Sequence, residues 1–235
     1  MQTANSLAAR MVGVVRAPRA TFERLAVNPR WADVLVVTFL VTALSSALLL
    51  KTETGRLALL DQWERTALAF GQTVGDSEYV ALAEASKNGA TYALVSALAS
   101  GPLLAVALSA ILIGLFRRGV GGNVTFRHVL AVVTHSGVIL MLRQVIAAPI
   151  VYVRETLASP TTFTMFFSTL DEGSSLARFF GSVDLFVIWW VVLVAIGMSV
   201  LYRRPARRLA LAFMGTYVVL AGVLTIAMVL TGGTT

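Results

Sequence analysis

The chain has 235 residues, of which 57% are apolar and only 13% charged, against about 45–50% and about 25% in soluble domains. That balance excludes an ordinary soluble enzyme or nucleic-acid-binding module, so the net charge of +7 has to be read by where its arginines fall along a membrane protein. Cysteine is absent, which excludes disulfides, thiolate metal sites and thiol nucleophiles.

The first 30 residues carry Arg10, Arg16, Arg19, Arg24 and Arg30, with Pro18 and Pro29, and hold no continuous apolar core. No signal peptide is therefore expected, and insertion falls to the first span. Leu7, Met11, Val14 and Val15 recur at helical spacing, the pattern of an amphipathic helix lying on a membrane surface with the five arginines near anionic headgroups. The same arginines also serve as topology signals, and both readings stand. Residues 1–31 thus form an expected cytoplasmic segment, ahead of a membrane domain over 32–235.

Five apolar runs are long enough to cross a bilayer, near 32–50, 92–116, 128–153, 179–202 and 209–231, since about 20 residues suffice. Asp33 interrupts the first only near its start. Basic residues sort to one side of these spans: the N-terminal five, then Arg117, Arg118 and Arg127, then Arg203, Arg204, Arg207 and Arg208. The other side holds Lys51, Arg56, Arg65, Lys87, Arg154 and Arg178 among a larger number of acids. The expected topology is N-terminus cytoplasmic and C-terminus outside, in an all-α, five-helix integral membrane bundle. The expected location is the inner membrane of a bacterium.

After the first span, "RLALLDQWERTALAFG" (56–71) predicts a helix resting on the outer surface, with Trp63 suited to the interface, and Gly75, Asp76 and Gly89 punctuate the rest of that connection. In the second span, Ala93, Ala97, Gly101, Ala105 and Ser109 recur every fourth residue, a strip of small side chains that admits a neighbouring helix. Pro102 predicts a kink. "GVGGN" (119–123) reads as a turn, too short for a phosphate-binding loop. His128 and His135 share one face of the third span without a further ligand nearby in sequence, so no metal site is expected. Over 154–178, Phe163, Phe166 and Phe167 either dip into the interface or cover the mouth of the bundle. The last span carries Gly215 and Gly222 one heptad apart, again predicting close packing.

Two intramembrane charges stand out. Arg143 lies about 15 residues, or roughly 22 Å, from the start of its span, and Asp184 about 18 residues, or roughly 27 Å, from the corresponding end of the next. At matching depth they are candidates for a pair, which lipid favours because a lone charge there costs about 2.5–3.5 kcal/mol or more. One reading makes the pair a clasp between helices; the other makes Arg143, Asp184 and His135 a polar path for a solute or proton. No nucleophile elbow or catalytic triad pattern accompanies them, so neither enzyme activity nor a cofactor is expected.

The stretches "RAPRATFERLAVNPRW" (16–31), "GGNVTFRHVLAVVTHSG" (121–137) and "VDLFVIWWVVLVAIGMSVLYRRP" (183–205) resemble, in that order, the Yip domain family, the Ypt/Rab-interacting-protein membrane fold, in its bacterial form. Pro18, Phe22, Pro29 and Trp31, the Thr–Phe–Arg entry to the third span, and Asp184, Phe186, Trp189 and Gly197 carry the resemblance. It implies a five-helix bundle with a cytoplasmic N-terminal segment and no enzyme activity. Eukaryotic members are associated with vesicle trafficking and Rab GTPases, a role the short N-terminal arm does not suit; some bacterial relatives are linked to assembly of ABC-type exporters. The expected partners are the lipid bilayer and another membrane protein or a second copy, with no nucleic acid. The function expected is that of an adaptor or assembly factor, with a small transporter or a membrane-shaping protein as alternatives.

Overall fold

In the computed structural model, residues 6–116, 124–155, 157, 159–167 and 174–231 are described. The GVGGN segment, Arg117, Arg118, Asp171 and Glu172 lie outside them. The helices are α1 (Leu7–Arg16), α2 (Pro18–Val27), α3 (Ala32–Leu50), α4 (Glu53–Ala69), α5 (Asp76–Ser86), α6 (Gly89–Phe116), α7 (Phe126–Ser136), α8 (Val138–Arg154), α9 (Ser175–Ser182), α10 (Leu185–Tyr202) and α11 (Ala206–Thr231), with a 3₁₀ turn at Phe163–Phe166. Five segments are long and apolar enough to cross a membrane: α3, α6, Phe126–Arg154 (α7 with α8), α10 and α11.

The helix ends reflect local chemistry. Ser6 caps α1 by accepting from the Ala9 N–H at 3.2 Å, and Pro18 opens α2 at a position where its missing N–H costs nothing. Thr52 caps α4, and the chain turns so tightly there that a Cβ on Gly55 would fall 2.1 Å from the Leu49 carbonyl oxygen. Only glycine fits that approach. Thr125 and His128 form a reciprocal cap on α7, which gives His128 a local structural role. At Gly137 the backbone bonds continue, Gly137 N–H to Val133 and Met141 N–H to Gly137, so α7 and α8 carry one span.

The fourth span departs from expectation. The apolar run over 179–202 predicts one continuous helix, but the structure breaks it at Val183 and Asp184, ending α9 at Ser182 and starting α10 at Leu185. A long hydropathy window passes over this break, because Phe179, Phe180 and Val183 ahead of it are apolar too.

The chain forms two compact units, one of Met1–Val41, Ala97–Leu142 and Phe186–Gly215, the other of Thr42–Ser96, Arg143–Leu185 and Thr216–Thr235. In the first, α1 and α2 are docked into the core. Val14, Phe22 and Leu25 are buried with Val132, Ile139 and Leu193, burial worth about 1.5–3 kcal/mol for each large apolar side chain. The apolar face of the N-terminal segment covers protein in this unit. Close helix contacts in this unit use glycine: a Cβ on Gly101 would sit 2.1 Å from the Phe39 ring, and one on Gly197 would sit 2.4 Å from Val132. Within the small-residue strip of α6, Ala105 and Ser109 are buried and Gly101 is half-buried; in the second unit Ala93 is half-buried. Ala97 is half-buried in the first.

The second unit contains the α4–α5 hairpin, whose cleft of about 640 Å³ is lined by Trp63, Ala67, Phe70, Val74 and Leu82 among others. Phe163 and Phe167 stack on Phe180 at 6.5 and 4.7 Å between ring centroids, so the aromatic segment packs over α9.

Candidate functional site

The break between α9 and α10 builds the main polar site. An isolated antiparallel bridge pairs Thr162 with Asp184: the Phe163 N–H donates to Val183 C=O and the Leu185 N–H to Thr161 C=O, both at 3.0 Å. Tyr217 of α11 completes the join, its hydroxyl accepting from the Asp184 N–H at 3.0 Å and donating to Ser182 C=O at 3.1 Å. Backbone groups freed from the helix are thereby satisfied, as irregular backbone among membrane helices requires.

Asp184 immediately precedes α10, a position that favours a carboxylate because unpaired N–H groups and the positive end of the helix dipole meet there. Its Oδ2 accepts from Arg143 Nε at 2.7 Å, Thr161 Oγ1 at 2.5 Å and Ser159 Oγ at 3.3 Å. Arg143 also donates through its terminal nitrogen to Ser159 Oγ at 2.9 Å. The Asp184 side chain is 6% exposed and that of Arg143 33%. A buried carboxylate is tolerated in such a place because charge-assisted donors replace the water it loses.

The first unit holds a second ion pair. Arg10 on α1, itself buried, pairs with Asp33 in the first turn of α3. His135 of α7 lies within electrostatic reach of both. Its Nδ1 is 2.8 Å from Ala131 C=O; a carbonyl only accepts, so Nδ1 carries the proton and Nε2 is left as an acceptor. Among the described residues, Nε2 and the Ser136 hydroxyl are both buried without a hydrogen-bond partner.

The sequence-predicted polar residues divide between the two units. Arg143 and Asp184 meet; His135 belongs to the other unit, with Arg10 and Asp33. Arg10 faces inward, whereas Arg16, Arg19, Arg24 and Arg30 are exposed. On α11 a Cβ on Gly215 or Gly222 would meet nothing within 4 Å among the described residues of this chain; α11 turns Tyr217, Ala221 and Thr225 inward. Ser159, Thr161 and Tyr217 were missed, because hydroxyl side chains in loops and apolar spans carry no pattern until the helix break is known. Among the described residues no three His, Asp or Glu side chains converge as a metal-holding group.

A family model described as Yip1 domain matches residues 12–228, nearly the whole chain. No curated protein and no solved structure shows a significant match.

Proposed function

The chain belongs to the Yip1 domain family, and from that premise we propose that it is a non-enzymatic, multi-pass membrane protein serving as an adaptor or assembly factor for another membrane complex, such as an ABC-type exporter. One observation supports this reading above the rest: α6 and α11 are spans whose apolar windows are only 11% and 6% buried, while Asp33, Arg143 and Asp184 are paired within the chain. The chain pairs these charges with one another and presents long apolar faces, including Leu103, Leu104, Ile111 and Leu115 on α6, to whatever surrounds it. In this reading the N-terminus is cytoplasmic, by the arginine distribution, and the membrane is a bacterial inner membrane. Photo-crosslinkers at Leu104 and Val219 in native membranes test it: a reproducible protein adduct is expected, and adducts with lipid alone, with neighbouring transport systems unaffected by deletion, would sink it.

The break at Asp184 favours a second reading, a small transporter or channel subunit, since interrupted helices with charged groups at the break are how transporters hold solutes. Proteoliposome flux that disappears in Asp184→Asn while the fold survives would replace the adaptor reading with this one. The membrane-shaping alternative draws no support from the N-terminal helices, whose apolar face is already occupied by protein.

A further inference from the structure

Four arginines, Arg203, Arg204, Arg207 and Arg208, fall within six residues at the turn from α10 to α11. All four are exposed. The helices on both sides are long and apolar enough to span a bilayer, and only residues 203–205 separate Tyr202 from Ala206. A connection that short cannot leave the headgroup layer. No aspartate or glutamate occurs anywhere in the chain after Asp184, so neither flanking span offers these cations an acid. The first turn of α11 likewise contains none.

The turn is also held in place. Tyr202 is buried, with its ring 4.8 Å from that of Phe116, which in turn meets Phe213 edge-on at 6.3 Å. The Arg204 N–H donates to Ser199 C=O and the Arg208 N–H to Pro205 C=O, both at 3.1 Å. Arg203 takes the left-handed conformation, φ 50°, that ends the helix and reverses the chain. Four guanidinium groups on so short a connection repel one another. Planar, multiply donating guanidinium matches phosphate oxygens in pairs, and the bilayer surface at which the turn lies is where phosphate is supplied.

We propose that Arg203, Arg204, Arg207 and Arg208 form a docking surface for the phosphate-bearing headgroups of anionic lipids. This surface is independent of the adaptor reading: it stands or falls on lipid selectivity alone. The test uses the full chain purified in zwitterionic detergent, with lipid retention read by native mass spectrometry on adding phosphatidylglycerol, phosphatidylcholine or inorganic phosphate. Wild type should retain phosphatidylglycerol at least about tenfold better than phosphatidylcholine, and the double variants R203Q/R204Q and R207Q/R208Q should each lose most of that preference. The preference should also fall as salt rises from about 0.05 M to about 0.5 M, which needs no variant and serves if a double variant fails to fold. Equal retention of the two lipids, an unchanged preference in variants that fold, a preference indifferent to salt, or full displacement of lipid by millimolar phosphate would each overturn the proposal, the last by identifying a free-anion site.

Discussion

Two of the ion pairs in this protein, Arg10–Asp33 and Arg143–Asp184, are built alike and buried in opposite senses. In each, the acid stands at the start of a membrane-spanning helix, Asp33 in the first turn of α3 and Asp184 just before α10, where the helix dipole favours it. In each, the arginine comes from another helix. At Arg143–Asp184 the acid is hidden and the arginine partly open, with side-chain exposures of 6% and 33%; at Arg10–Asp33 the arginine is hidden and the acid open, 6% against 45%. What matters for stability is which charge is stranded when its partner goes, because a stranded buried charge costs far more than an exposed one.

The largest effect should therefore come from Arg143→Met, which leaves the carboxylate of Asp184 buried without its cationic partner. A loss of about 3–5 kcal/mol is expected, and the double variant R143M/D184L should recover most of it, since removing both charges removes the penalty. Denaturation in mixed detergent micelles would measure both; a double variant as unstable as the single one would show that the pair is needed for something other than mutual neutralisation. The second pair should show the reverse asymmetry. Asp33→Ala takes the carboxylate away from buried Arg10 and should cost about 2–3 kcal/mol, whereas Arg10→Met leaves Asp33 free to hydrate and should cost about 1 kcal/mol. Equal losses would mean that exposure does not govern the outcome.

The glycines allow the same contrast in packing. Gly101→Val drives a side chain into the Phe39 ring and should cost about 1–3 kcal/mol. Gly222→Ala meets open space on a helix and should be neutral or stabilising, by up to about 1 kcal/mol, because alanine is the better helix former. If Gly222→Ala instead destabilises only at high protein concentration, that glycine face contacts a second copy.

How far the sequence could carry this comparison depended on what kind of signal each feature leaves. Long apolar runs, the spacing of helices and the matched depth of Arg143 and Asp184 are properties of composition and counting, and they were legible. The break at Val183 was not, because a long hydropathy window averages Gly181, Ser182 and Asp184 with the apolar residues around them; the local cue was those three residues directly ahead of an apolar run, a turn and helix-start signal. Arg10 misled for a different reason. An amphipathic helix presents the same apolar spacing whether its face covers lipid or protein, so the periodicity of Leu7, Met11 and Val14 could not reveal docking. Glycine spacing on α11 similarly marks a smooth face without naming what it touches.

The smallest predicted effect separates the two regions most sharply. Around Asp184 the backbone groups at the helix break and the carboxylate have partners, so replacing Tyr217 by Phe removes a bridge and should cost about 1 kcal/mol. At His135, by contrast, one ring nitrogen is bonded to Ala131 C=O and the other is buried without a partner among the described residues. His135→Leu gives up the first bond but also relieves the orphaned acceptor, two terms of similar size and opposite sign, so stability should change by less than about 1 kcal/mol. The same micelle denaturation would read it against Tyr217→Phe. A loss above about 3 kcal/mol would show that Nε2 is satisfied in the membrane by a bound water or solute, since a buried water typically bonds about three polar groups and is costly to lose; that result would shift weight from the adaptor reading toward a polar path through the first unit.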